Sequence, residues 1–305
     1  MLSQDVERYV TSKRIVGYKF TYPAYSLKRF ADYAMAHGDQ FIRVERVLAW
    51  VTAETPSATR RSRLVARVRR FALDMQAEDP RHEVPPRDCF GRAKYVRKSP
   101  YIYTADEIER ILCVAHQMPQ EGIIAPLTLA TLLGLLASTG LRISEAMALQ
   151  CADLTDDGLL IRKSKNNRTR LVPLHETTRA ALEKYLSERA RQPVYTQAMF
   201  VSRKGQGLQH AVVWCAFMRL LARTGIRPMS SSTGPRLHDL RHTFAVRSLE
   251  QCQNDRRAVA QHMIALSTYL GHTNIADTYW YLEATAPLLR SIAEAGEAMH
   301  RGGDV

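Results

Sequence analysis

Four places in the second half of the chain gather side chains that could act on a phosphate. The first is Ser138-Thr-Gly-Leu-Arg142-Ile-Ser-Glu145, where a glycine turn sets Arg142 at the start of a helix. There a guanidinium and free backbone N–H groups can converge on an anion. Taken alone, the segment is more simply read as a helix-start arginine paired with Glu145. The second is Lys165, in the tip of a hairpin running Ser164-Lys-Asn-Asn-Arg168-Thr-Arg170. Hairpin tips reach outward and carry function readily, although a lysine in a polar turn is by default simply solvated. The third is Leu237-His238-Asp-Leu-Arg241, whose histidine and arginine share one helical face because they stand three apart. Such a pair suits a phosphate, offering proton transfer near neutral pH beside a fixed bidentate fork; a helix-cap histidine with a surface arginine is the plain alternative. The fourth is Leu270-Gly-His272, followed by Tyr279-Trp280-Tyr281. Three successive aromatics cannot all point inward, so one or two belong to the core and at least one faces a cleft or water. No zinc site is expected, for want of ligands at metal spacing near His238.

The elements that must hold these groups are mostly helical. The first eighty residues read as successive helices. Leu64, Val68, Phe71 and Met75 form one apolar stripe, and Arg60, Arg63, Arg67 and Arg70 occupy a neighbouring face with no acidic residue among them. That basic face could follow a DNA backbone or simply be solvated. Between Asp79 and Pro100 the periodicity fails in a run of prolines, arginines and lysines, which reads as a basic linker. Thr104 with Glu107 makes a capping-box signal, and helices are expected at about 104–117 and 125–138. A short β region follows, at 158–162 and 170–174, and then helices at about 175–190, 208–224, 238–251, 258–270 and 274–283. A last stripe carries Leu288, Ile292, Ala295 and Met299. The fold class is therefore mainly α with a small β-hairpin or sheet (α+β). The domains are 1–80, a linker at 81–100, a second domain at 101–285 and a C-terminal helix at 286–305.

Composition narrows the function classes. A chain of 305 residues suits two domains, and 46% hydrophobic residues is enough for real cores, which argues against wholesale disorder. A formal net charge of +13 favours a polyanionic partner. Five scattered cysteines without a Cys-x-x-Cys pair argue against a disulfide framework and a structural zinc site. No apolar run is long enough to span a bilayer and no signal peptide is visible, so a cytoplasmic protein is expected.

In this order, the four segments resemble those of the tyrosine recombinase (phage integrase) family. TGLRISEAMAL resembles the family's first-arginine motif, SKNNRTRLVPL its β-hairpin, LHDLRHTFA its His-x-x-Arg motif, and LGHTNIADTYWY its Leu-Gly-His motif. The resemblance covers about residues 100–285. It implies Arg142, Lys165, His238, Arg241, His272 and Tyr281 as catalytic residues, with Tyr281 nine positions beyond His272 and Tyr279 a second phenol nearby. The N-terminal eighty residues resemble the family's helical core-binding domain only in length, helicity and charge; joined to this chemistry through a basic linker they suggest a clamp around duplex DNA, with Arg60, Arg63, Arg67 and Arg70 as the candidate contacts.

The implied reaction is DNA strand cleavage and rejoining through a 3′-phosphotyrosyl intermediate, with neither metal nor cofactor. Arg142 and Arg241 would stabilise the charge that builds on the phosphate, and Tyr281 would attack with His238 as base. Lys165 would protonate the leaving 5′-oxygen and His272 would hold a phosphate oxygen. The partners implied are a double-stranded recombination site and three further protomers in a synaptic tetramer; the Leu288–Met299 stripe either docks on a neighbouring protomer, as the family's C-terminal segment does, or packs on its own domain. Accessory proteins and the DNA sequence are not legible. A type IB topoisomerase-like relaxase or a non-catalytic DNA-binding regulator are the competing readings.

Overall fold

The computed structural model describes residues 1–91, 100–119, 124–162, 169–229, 234–251 and 256–272, together with 274, 278 and 281. The chain divides into two units, Met1–Lys98 and Ser99–Val305. In the first, four helices build one core: α1 (Leu2–Ile15), α2 (Thr21–Ala36), α3 (Val44–Glu54) and α4 (Ala58–Glu78). Ser57 starts α4 by accepting from the Arg60 backbone N–H, which satisfies one of the donors every helix start leaves open. The stripe Leu64, Val68, Phe71 and Met75 is buried against Phe30, Trp50 and Val6. Beyond α4 the chain stays on this unit. The Ile42 N–H donates to His82 Nδ1 at 3.1 Å, Arg69 donates to the Pro85 carbonyl, and Val84 and Phe90 pack on the core.

The second unit is built around α6 (Pro126–Thr139), which is apolar on nearly every side and is therefore its central helix. Against it lie α5 (Ala105–His116), α8 (Glu176–Ala190) and α10 (Asp239–Glu250). The expected capping box of α5 is formed: Thr104 accepts from the Glu107 N–H while the Glu107 carboxylate accepts from the Thr104 N–H. Remaining elements are α7 (Ile143–Ala148), α9 (His210–Arg223) and α11 (Arg256–Leu270). Three antiparallel strands, β1 (Leu154–Thr155), β2 (Gly158–Ile161) and β3 (Arg170–Val172), form one sheet in the order β1-β2-β3, with Leu159 opposite Val172.

The architecture is mainly α with a small antiparallel sheet, as the periodicity predicts. The β region differs in one respect: a two-residue strand, β1, adds an edge that is too short to show alternation. Among the described residues no helix is long and apolar enough to cross a membrane. The expected helix at 274–283 is described only at 274, 278 and 281, and the stripe at 288–299 lies outside the described residues.

Candidate active site

Gly140 turns the chain out of α6. It adopts φ 61°, and a Cβ there would stand 2.5 Å from Phe244 Cδ1, so the left-handed turn and the tight approach both require glycine. The turn delivers Arg142 to the N-cap of α7. Arg142 pairs with Glu145, Nη1 to Oε1 at 2.9 Å, and its backbone N–H donates to Oε2 at 3.0 Å. Its guanidinium also reaches the end of α11, donating to the Leu270 carbonyl at 3.4 Å and the Gly271 carbonyl at 3.3 Å. The helix-start pairing with Glu145 is thus present, and the same guanidinium reaches the carbonyls that end α11.

Arg241 arrives from α10 at the same place. It is 2% exposed and donates to the Gly140 and Leu270 carbonyls, each at 2.7 Å. Burial pushes its pKa down to about 10, helped by the charge of Arg142 and opposed by Tyr281 and Glu145. It remains a cation at neutral pH.

His238 is the N-cap of α10, one turn from Arg241. The start of α10 is fixed by Asp239, which accepts from the Arg236 N–H at 2.8 Å and from Arg236 Nη2 at 2.9 Å. The pKa of His238 is lowered to about 4, by desolvation first and then by Arg241, with Asp239 opposing. The residue as a whole is exposed to solvent. Water therefore relieves part of the desolvation, and the positive neighbours Arg241, Arg142 and Arg236 are the more durable cause. The ring is neutral at pH 7 and able to accept a proton.

Three aromatic contacts carry the site from His238 to Tyr281. The His238 and His242 rings meet edge to face at 4.7 Å between centroids, His242 and Tyr281 lie at 5.5 Å, and Tyr281 stacks on His272 at 6.0 Å. Tyr281 is 2% exposed and packs with Ala245, Val246, Leu249, Met263, Leu266 and Leu270. His272, just past the break at Gly271, shares a 2.6 Å hydrogen bond between Nδ1 and Thr278 Oγ1. Five of the six residues proposed from the sequence thus meet around the ends of α6, α10 and α11. Lys165 lies outside the described residues, as do Tyr279 and Trp280.

One residue at this site was not singled out from the sequence. Arg170, the first residue of β3, forks onto Glu145 (Nη1–Oε1 3.1 Å, Nη2–Oε2 2.8 Å) and donates through Nε to the Tyr269 carbonyl at 2.8 Å. Burial of Glu145 works to raise its pKa, yet the hydrogen bonds and charges of Arg170 and Arg142 outweigh it and hold the carboxyl down to about 2. Only the alternation of β3 hinted at this residue: Arg170 and Val172 share a face, and Val172 is core.

In the first unit the arginines of α4 divide into two sets. Arg61 donates to the Thr55 carbonyl at 2.7 Å and Arg69 to that of Pro85, so both serve the fold. Arg60, Arg63 and Arg70 are exposed, and Arg67 lies over the Tyr22 ring at 4.5 Å. Among the described residues none of these four is paired with a carboxylate.

The phage integrase family profile matches residues 102–286, and the chain belongs to that family. A putative integrase/recombinase, y4rB of Sinorhizobium fredii, is 37% identical over 98% of this chain and 96% of its own length. The integrase of the Tn1549 transposon, solved with transposon right-end DNA, shares the fold at a TM-score of 0.65 and 17% identity, covering 96% of this chain and 98% of that one. The λ integrase, solved as a tetramer on a Holliday junction, does so at a TM-score of 0.64 and 19% identity, covering 91% of this chain and 76% of that one. The protein is a site-specific DNA recombinase of the tyrosine type, acting through a phosphotyrosine intermediate.

Proposed function

We propose that Tyr281 is the nucleophile, that Arg142 and Arg241 clamp the scissile phosphate, and that His238, Lys165 and His272 complete the reaction centre. The observation that carries this reading is that Arg142 and Arg241, from different helices, converge on the Leu270 carbonyl within one cluster that also contains His238, His272 and Tyr281. Two guanidiniums aimed at the non-bridging oxygens bind the extra charge of the transition state more strongly than the ground state, and that difference is catalysis.

A free phenol has a pKa of about 10, so Tyr281 gives up its proton as it attacks, and neutral His238 takes it. The Tyr281 oxygen forms a bond to phosphorus while the bond to the 5′-oxygen breaks. Lys165 supplies that oxygen with its proton, and His272 holds a non-bridging oxygen. The 3′-phosphotyrosyl ester keeps an energy comparable to the diester it replaced. A second strand's 5′-hydroxyl can therefore reverse the step without an external energy source.

The arginines Arg60, Arg63, Arg67 and Arg70 of α4, which have no carboxylate partner among the described residues, fit a helical core-binding domain (1–80) that closes on duplex DNA with the catalytic domain (101–285). The basic stretch at 81–100, whose first residues pack on the N-terminal unit, leads from one to the other. Exchange between two duplexes calls for four protomers, with the segment at 286–305 docking on a neighbour, and a DNA substrate of this kind belongs to the cytoplasm.

A nicked duplex bearing the sequence that the protein protects from nuclease tests the reading. The wild type should form a denaturation-resistant adduct on that duplex and not on unrelated DNA. Tyr281→Phe should bind without forming it. An adduct that persists in Tyr281→Phe and disappears in Tyr279→Phe moves the nucleophile. An adduct on every duplex marks a relaxase, and none at all a regulator.

A further inference from the structure

The Glu145 carboxylate is fully occupied. Its two oxygens accept two N–H groups from Arg170, one from the Arg142 side chain and one from the Arg142 backbone. A carboxylate offers about four acceptor sites, so none is left. Arg142 has five N–H donors and spends three, one each on Glu145, Leu270 and Gly271. Among the described residues nothing takes the other two, which leaves them for a ligand.

This balance depends on Arg170. A buried carboxylate beside a lone arginine favours the two-pronged, parallel pair, which would take Arg142 out of play. Arg170 holds that geometry on Glu145 instead and leaves Arg142 only one side-chain bond to it. Its seat is tight: at Gly271, with φ +67°, a Cβ would come 2.9 Å from Arg170 Nη1. The guanidinium is also anchored to the Tyr269 carbonyl, one residue from the carbonyl that Arg142 and Arg241 share.

We propose that Arg170 is a positioning residue for strand cleavage: by saturating Glu145 it prevents a closed Arg142–Glu145 pair and keeps the free donors of Arg142 available to the scissile phosphate. The inference rests on Arg142 being part of the phosphate clamp. Arg170 touches neither phosphate nor tyrosine and acts through Glu145.

The test is single-turnover adduct formation on the nicked duplex, with gel-shift affinity measured beside it. Arg170→Met should slow adduct formation about 10- to 100-fold, since misplacing a positioned group by about 1 Å costs about that much. Affinity should change by no more than about twofold, because the defect lies in the chemical step. Adding Glu145→Gln should return part of the lost rate, because a neutral amide cannot trap Arg142 in an ion pair; a structural defect would instead be compounded. A 5′-bridging phosphorothiolate, whose sulfur leaves without a proton, should not rescue Arg170→Met.

A wild-type rate in Arg170→Met, a slower double variant, or rescue by the phosphorothiolate each overturns the proposal, the last by assigning Arg170 to leaving-group protonation. If Arg170→Met does not fold, Arg170→Lys carries the test. Its ammonium fills the carboxylate only in part, so the rate should fall and Glu145→Gln should raise it; a wild-type rate overturns the idea. A wild type that forms no adduct, or a Tyr281→Phe that forms one, sinks the reading of the whole site. An unaffected Arg170→Met beside an active wild type sinks this inference alone.

Discussion

Arg142 and Arg241 donate to a single oxygen: the Leu270 carbonyl accepts from Nη1 of the first at 3.4 Å and from Nη2 of the second at 2.7 Å. Two cations on one acceptor repel each other, and the lowered pKa of Arg241 records part of that repulsion. A phosphate bound between them, as proposed above, would relieve it, so the site would hold its electrostatic work in readiness for charge. Arg241 bridges the Gly140 and Leu270 carbonyls, a span that a lysine ammonium cannot reproduce. Arg241→Lys should therefore lower single-turnover cleavage by about 10²- to 10³-fold while DNA binding persists. A rate near wild type would remove Arg241 from the clamp.

What was legible beforehand follows from the range of each interaction. The capping box of Thr104 and Glu107 closes over three residues, and it is visible in the sequence because both partners are local. The mainly helical fold and the small sheet follow from apolar periodicity in the same way. His238 and Arg241 stand three positions apart at the start of α10, a spacing that places them on one face. The fork of Arg170 on Glu145 spans 25 residues, and the bond from Arg142 to Leu270 spans 128. Such partners are set by how α6, α10, α11 and β3 pack, and no local pattern encodes them. The family motifs, by contrast, mark Arg142 and Arg241 individually without indicating the carbonyl that joins them.

In the proposed role of base His238 works only when neutral, so its low pKa should set the acid limb of the reaction. With the folded value at about 4 against an ordinary 6.5, kcat/KM should hold nearly level from pH 7 toward 5.5 and fall only as pH approaches 4. The unfolded chain binds this proton first, so His238 makes stability fall with pH between 6.5 and about 4. A pH–rate profile with an NMR titration of the His238 ring checks both. A ring that titrates near 6.5, with the rate falling beside it, would refute the depression.

Glu145 has the opposite sign. Its folded pKa of about 2 lies below the ordinary 4.5, so its ionised form stabilises the fold above pH 4.5, and this contribution disappears as pH falls toward 2. At 1.36 kcal/mol per unit the shift corresponds to roughly 3 kcal/mol. Glu145→Gln should thus destabilise the protein by about that amount at pH 7, and the two urea-unfolding curves should converge in acid. A gap that does not narrow on acidification would show that charge is not the cause.

Gly140 couples the fold to the site. In Gly140→Ala the new methyl meets the Phe244 ring while the backbone must keep φ 61°, and the carbonyl it displaces is an acceptor for Arg241. The expected cost is about 1–3 kcal/mol in unfolding free energy, with slower cleavage alongside. A thermal midpoint and adduct rate both matching wild type would show that the turn relaxes freely.

The arginines of α4 make a prediction about salt. Arg60, Arg63, Arg67 and Arg70 have no carboxylate partner among the described residues, whereas Arg61 and Arg69 are committed to the Thr55 and Pro85 carbonyls. Each free arginine that meets a phosphate releases counterions, adding about 0.9 to the slope of log affinity against log salt. Replacing the four together with glutamine should flatten that slope by about 3–4 and weaken binding to specific and unrelated duplexes alike, because phosphates carry no sequence. Arg61→Gln should act differently, lowering the thermal midpoint and leaving the slope nearly unchanged. If the quadruple variant keeps the wild-type slope, this face of α4 does not lie on DNA.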